Sequence, residues 1–222
     1  MFVCYVWGWH HKQNEVTKFL GVTVDSLLSW GSHIDLILRK LALSHYVVWQ
    51  LRYKVERSIL ISYYHAYVGS SLSYGVVAWG NAVRVGEILT SQKKILRTLG
   101  FKCYRHLCRE LFKELKILTI ISVYILQCAV YIKKNKNLYV TSNDVAVDYT
   151  LRNGDCLRLP PHKLSLAARS SFVMPIKIFN HLPNPLKEIN NLIAFKANLK
   201  KLLLQNTIYS LKEFFALNFE VT

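Results

Sequence analysis

The spacing of apolar and polar residues changes period once along the chain. Val16-Thr17-Lys18-Phe19-Leu20-Gly21-Val22-Thr23-Val24-Asp25 is rich in β-branched residues around a central glycine. That pattern predicts one or two short strands with a bend or bulge at Gly21. From Ser32 onward apolar residues recur every three or four positions. Ile34, Ile37, Leu38, Leu41, His45 and Val48 fall on one face of a helix, since 3.6 residues make a turn. Ser32 followed by Asp35 fits a capping box at its start.

The same period predicts further helices. One covers about Glu56 to Leu72, with Leu60, Tyr63, Tyr64 and Tyr67 as its stripe. Ser73 to Asn81 is small, aromatic and punctuated by glycine, and reads as a short helix or turn in the core. A third helix, Val85 to Leu99, turns Val85, Ile88, Leu89, Gln92, Ile95, Leu96 and Leu99 inward and Lys93, Lys94 and Arg97 outward. Gly100 is placed to end it in a left-handed conformation. A fourth, Leu107 to Lys116, puts Leu107, Leu111, Phe112 and Leu115 inward, and a fifth, Ile120 to Lys134, is capped by Thr119. Lys133, Lys134 and Lys136 suit the negative end of its dipole. The short links predict antiparallel neighbours. From Asn137 to Pro161 the chain is more polar, with a tight-turn signal at Arg152-Asn153-Gly154-Asp155. Ser171–His181 reads as a short helix ended by Pro183 and Pro185, Asn191–Gln205 as a longer one, and Ser210 with Glu213 as the cap of a final turn.

Charge narrows the class of partner. Among 222 residues, 29 are Lys or Arg and 13 are Asp or Glu, a net charge of +16. Residues 1–35 carry −1 of this, so everything from Leu36 onward carries +17. A folded chain this basic attracts polyanions, of which nucleic acid is the commonest and a membrane surface the alternative. Ile117–Ile132 is uncharged for sixteen residues, short of the ~20 a spanning helix needs, and reads as a core helix. Met1 to Trp9 lacks the basic start and cleavage site of a signal peptide. The five cysteines (4, 103, 108, 128 and 156) include no CxxC. They read as free buried thiols of a reducing compartment, hence an intracellular protein of nucleus or cytoplasm.

Catalytic constellations are missing from the sequence. There is no Asp-Asp, Asp-x-Asp, GxSxG, P-loop or GxGxxG, and Asp144 and Asp148 read as solvated. His10-His11 and the group Cys103, His106 and Cys108 match no common metal-ligand spacing. The outstanding feature is a basic run. Lys93, Lys94, Arg97, Lys102, Arg105, Arg109 and Lys113 place seven cations in twenty-one residues, opposed only by Glu110. Cations in such density suit backbone phosphates, and Tyr104 and His106 are placed to stack on a base or ribose.

A collinear series of phrases resembles the region after the palm catalytic core in jockey-like non-LTR retrotransposon reverse transcriptases. It begins with Lys18 to Asp25 and Leu28-Ser29-Trp30-Gly31-Ser32-His33-Ile34, then Tyr63-Tyr64-His65-Ala66-Tyr67 and Ser70 to Gly80. Gln92 to Arg97, Cys108-Arg109-Glu110-Leu111-Phe112 and Leu115 to Thr119 continue it. Thr150-Leu151-Arg152-Asn153, Phe179-Asn180-His181-Leu182-Pro183, Phe195-Lys196 and Tyr209-Ser210 complete it, over about residues 16 to 215.

The resemblance implies that Phe19, Leu20 and Gly21 belong to a primer grip, with Gly21 allowing close backbone approach, and that the following helices form a thumb over the primer–template. The implied parent is an RNA-directed DNA polymerase whose catalytic aspartates lie upstream, so this chain alone is expected to be a truncated, inactive fragment. RNA/DNA primer–template and the missing palm domain are the implied partners, with no membrane. Mg is expected only in that palm and no cofactor in this chain. The expected fold is mainly α: a short N-terminal β-hairpin, an antiparallel thumb-like helix bundle, and an irregular C-terminal region ending in helices. The expected units are 1–31, 32–136 and 137–222. Two other readings stay open: a non-catalytic basic helical nucleic-acid-binding protein, and a membrane-associated helical protein built on Ile117–Ile132.

Overall fold

A computed structural model describes residues 16–140, 156–161 and 170–217. The chain is mainly helical behind a short antiparallel hairpin. Strands β1 (Val16–Phe19) and β2 (Val22–Asp25) pair Val16 with Asp25 and Phe19 with Val22. The two-residue turn between them, Leu20-Gly21, has positive φ at both positions, 46° and 79°. That geometry matches the twist of a tight hairpin.

Helix α1 (Gly31–Leu51) packs lengthwise on α5 (Val85–Leu99) and buries Ile34, Ile37, Leu41 and Val48. It opens differently from the capping-box expectation. Trp30 takes the left-handed conformation before it and no side chain caps it. Asp25 organises the approach instead, accepting from the Ser29 amide at 2.7 Å, while Asp35 pairs with Arg84 at 2.9 Å. Arg84 also holds Glu87 at 2.7 Å. Asp35 meets Arg84 near the first turns and His45 meets Thr98 at 3.0 Å further on, so the two helices run side by side in the same direction.

The next helix departs from α geometry. α2 (Arg57–Tyr63) passes through a π turn (Tyr64–Gly69) into α3 (Ser70–Ser73). Its buried stripe is Leu60, Tyr64, Val68 and Leu72, a strict repeat of four. On an α-helix such a repeat drifts by about 40° per step. The wider π turn holds more residues per turn and keeps the stripe on one face. Tyr67, expected inside, is 62% exposed and stacks on Tyr63 with centroids 4.7 Å apart.

Helix α4 (Val76–Trp79) buries Trp79, whose indole N–H donates to the Tyr74 carbonyl at 3.0 Å. Gly100, expected in a left-handed conformation, has φ −85°. Phe101 takes that role with φ 52°, and Lys102 N donates to Arg97 O at 2.9 Å, closing the helix end. Gly100 serves packing, because a Cβ there would lie 2.7 Å from Leu111 Cδ2 and the Leu111 side chain would have to shift. In α6 (Cys108–Glu114), Leu111 and Phe112 point inward as expected. Leu107 does not: it is the extended residue before the helix and is 79% exposed, with Cys108 taking the inner place.

Helix α7 (Ile120–Lys134) carries the most apolar stretch of the chain into the core, burying Tyr124, Ile125, Cys128 and Ala129. Thr119 caps it, accepting from Ser122 N at 3.0 Å. No helix among the described residues is long and apolar enough to cross a membrane. Four C-terminal helices follow: α8 (Met174–His181), α9 (Asn184–Glu188), α10 (Leu192–Asn206) and α11 (Leu211–Ala216). α8 and α10 pack against α7 and extend its core. Ser210 caps α11 through Glu213 N at 3.1 Å, as the sequence predicts, and Asn191 caps α10. Pro183 and Pro185 do more than stop α8, since they open α9. The Arg152–Asp155 turn, His10-His11, Cys4 and the two loop aspartates Asp144 and Asp148 lie outside the described residues.

One buried polar side chain joins these layers. Gln92 on α5 is fully buried and donates through Nε2 to Tyr64 Oη at 2.7 Å and Leu118 O at 2.8 Å. Its Oε1 accepts from Ile120 N at 2.9 Å, the first amide of α7. Replacing Gln92 with Leu leaves three buried polar groups without this partner, each worth about 1–3 kcal/mol. Chemical denaturation is expected to show a loss of about 3 kcal/mol or more for Gln92→Leu, well above an ordinary core substitution that conserves volume.

Candidate nucleic-acid interface

The seven cations singled out in the sequence divide into two groups. Lys93, Arg97 and Arg109 are committed to the fold. The Lys93 ammonium sits 3.8 Å from the centroid of the Tyr209 ring, and the Arg109 guanidinium lies 4.4 Å over the same ring. Arg109 also donates to Glu213 at 2.8 Å and to the Thr207 carbonyl at 3.0 Å. Arg97 Nε donates to the His106 carbonyl at 3.0 Å and lies 5.6 Å over Tyr104. These contacts fasten the link between α10 and α11 to α5 and α6. Burial, with the like charges of Arg97 and Arg109, pushes the Lys93 pKa below its ordinary value. Burial raises Tyr209 to about 12, so its phenol stays protonated.

Lys94, Lys102, Arg105 and Lys113 form the second group, and all four are exposed. Lys102 and Arg105 lie on the loop between α5 and α6, beside exposed Tyr104. His106 is half-buried, so of the two rings proposed for stacking only Tyr104 stands clear of the surface.

The fold adds side chains that counting cations did not reveal. Just past α1, Tyr53 lies 5.7 Å from Phe101, and Arg52 stands 4.6 Å over Tyr53 and 5.5 Å over Trp49. Trp49, Tyr53 and Phe101 are all exposed, and Phe101 directly precedes Lys102. Aromatic faces interleaved with Arg and Lys are the chemistry of a base-stacking surface. The signal was present in the sequence as exposed aromatics on the polar side of α1. Only the parallel packing of α1 on α5 brings it to the basic loop.

Phe19 and Leu20 stand at the hairpin tip, 67% and 74% exposed. The Tyr74 hydroxyl donates to the Leu20 carbonyl, and the Tyr74 ring backs Gly21 at 3.7 Å from where a Cβ would be. Any side chain at Gly21 is also strained by its φ of +79°. The hairpin is docked through Thr23 N, which donates to His33 Nδ1 at 3.3 Å.

Among the described residues no three His, Cys, Asp or Glu side chains gather closely enough to hold an ion. Cys108 donates instead to the carbonyls of Lys93 and His106. The expectation of buried thiols holds for Cys108 and Cys128, whose thiol burial pushes up to about 12, but Cys103 is exposed and Cys156 half-buried. Comparison with protein families, curated proteins and solved structures finds no match to this chain.

His33 gives the hairpin a pH dependence. Burial, then Lys40, lowers its pKa below the ordinary 6.5. A group with a depressed folded pKa stabilises the fold above its unfolded value, and that contribution disappears as pH falls through the folded one. Burial also lowers His45 and His65, so stability should decline as pH drops below 6.5. Denaturation curves at pH 8 and pH 5 are expected to differ less for His33→Gln than for the parent chain.

Proposed function

We propose that this chain is the grip-and-thumb fragment of a non-LTR retrotransposon reverse transcriptase, an RNA-directed DNA polymerase. Its role is to bind primer–template nucleic acid rather than to make bonds. The observation that carries this reading is the surface at Lys102 and Arg105, where unpaired cations stand beside the exposed rings of Trp49, Tyr53, Phe101 and Tyr104. Phosphates there meet Lys94, Lys102, Arg105 and Lys113, and unstacked bases meet the aromatic faces. The hairpin tip at Phe19-Leu20-Gly21 suits contact with a strand, because the turn is narrow and Phe19 and Leu20 are exposed. The sequence holds no adjacent or alternating pair of aspartates, which is why the reading assigns no polymerisation to this chain and places Mg in the palm domain, its second partner.

Binding of a labelled RNA–DNA primer–template, followed by gel shift, tests the proposal. Affinity is expected to fall steeply with salt, by about 0.9 in the log–log slope for each phosphate neutralised. The variant Lys94→Ala/Lys102→Ala/Arg105→Ala/Lys113→Ala should flatten that slope by about 3 to 4. Tyr53→Ala should weaken binding to a single-stranded overhang by about 1–3 kcal/mol. Salt-independent binding, or a quadruple variant that binds like the parent, overturns the reading. Nucleotide incorporation by the chain alone overturns its non-catalytic part.

A further inference from the structure

A second concave site lies apart from the basic loop. A cleft of about 310 Å³ opens between the π turn, Lys116 and α10, the lower end of the usual ~300–1,000 Å³ for ligand pockets. Its inner wall is apolar, built from Leu118, Val123 and Leu126, with Tyr64 and Gln92 closing it. Its other side is cationic. Lys116, Lys196 and Lys200 line it together with His65, and no carboxylate does so among the described residues. Lys196 and Lys200 are four apart on α10 and exposed, so they share a face.

Three features set this cleft apart from a solvated surface. Like charges four apart on a helix repel, and nothing lining the cleft neutralises them. Lys116 holds a left-handed conformation, φ 54°, at a helix end where glycine is the unstrained choice. Such strain costs about 1–3 kcal/mol and gathers at functional sites. The cleft is also walled by the π turn, a distortion frequent at binding and catalytic sites. The field of Lys200 reaches into it: burial, then Lys200, lowers the His65 pKa below its ordinary value.

We propose that this cleft binds a nucleoside phosphate, its phosphoryl oxygens held by Lys116, Lys196 and Lys200 and its ring lying on the wall of Leu118, Val123 and Leu126. The residues are distinct from the exposed cations of the α5–α6 surface, so the site stands whether or not that surface binds nucleic acid. The shared chemistry has two sources, a free mononucleotide or the phosphorylated end of a strand.

Calorimetric titration of the full chain with adenosine 5′-monophosphate, adenosine and inorganic phosphate tests it. The monophosphate is expected to bind at least about tenfold tighter than adenosine, since charge-assisted contacts to phosphate are the strong ones. Lys196→Ala/Lys200→Ala should remove that preference. Lys116→Gly separates binding from folding: it relieves the strained φ, so Tm should hold or rise while monophosphate affinity falls several-fold. The Lys94/Lys102/Arg105/Lys113 alanine variant should bind the monophosphate like the parent. A trinucleotide bearing a 5′-phosphate that binds tighter than the monophosphate identifies a strand end, and one that does not identifies the free nucleotide. Equal affinity for monophosphate and adenosine, or monophosphate binding undiminished in the double lysine variant, overturns the proposal.

Discussion

The structure turns on the buried amide of Gln92. Its three hydrogen bonds reach the π turn, the carbonyl of Leu118 and the first amide of α7. A buried amide costs free energy unless its groups are paired, and here each partner would itself be orphaned without it. Ile120 N is one of the donors a helix start leaves open, and Tyr64 is fully buried, with burial holding its phenol protonated. The bonds therefore fix α5, α7 and the π turn in one relative position. Thr119 carries the constraint onward: it caps α7, and its hydroxyl donates to the Ile208 carbonyl at 2.6 Å, fixing the chain between α10 and α11. Both cationic regions hang on this frame, the cleft directly and the α5–α6 surface through α5.

Charge alone would have assigned all seven basic residues of the run to one role. Packing divides them. Lys93 and Arg109, sixteen residues apart in sequence, both lie against the Tyr209 ring, which gives each cation an attractive partner. The Arg109–Glu213 pair is partly exposed and contributes little by itself. Its effect is positional, because Glu213 also accepts from Tyr209 N at 2.9 Å. What remains for an external anion is a smaller set, concentrated where Lys102 and Arg105 meet the aromatic end of α1.

The elements most legible in the sequence were those whose ends carry a side-chain signal. Thr119 and Ser210 each cap the helix expected after them, because an oxygen one to three residues ahead of a free amide is a local interaction that tertiary context seldom displaces. Val85–Leu99 was legible from its period alone. Three features were not. Ser32 lost its cap to the Asp25 turn, since Asp35 found Arg84 across the bundle. The π turn was hidden because a repeat of four was read at a period of 3.6, which moved Tyr67 to the wrong face. Gly100 was assigned to backbone conformation when its lack of a side chain serves the close approach of Leu111. In each case a contact distant in sequence decided between two local options. The aromatic surface shares this origin: Tyr53 and Phe101 are forty-eight positions apart, and only the pairing of α1 with α5 makes their rings neighbours.

The two cationic regions also differ in how their fields act. On the α5–α6 surface the charges stand in solvent, where screening extends over about 8 Å at physiological salt. Such charges steer and hold a polyanion by number and are weak one at a time. In the cleft the exposed Lys116, Lys196 and Lys200 share the lining with Leu118, Val123 and Leu126, and low-dielectric walls focus the field on whatever enters. A single phosphoryl group bound there would meet several charges at once. The fold thus pairs a diffuse attraction suited to a long backbone with a concentrated one suited to a single group. It builds both from helices whose relative placement depends on the same buried glutamine.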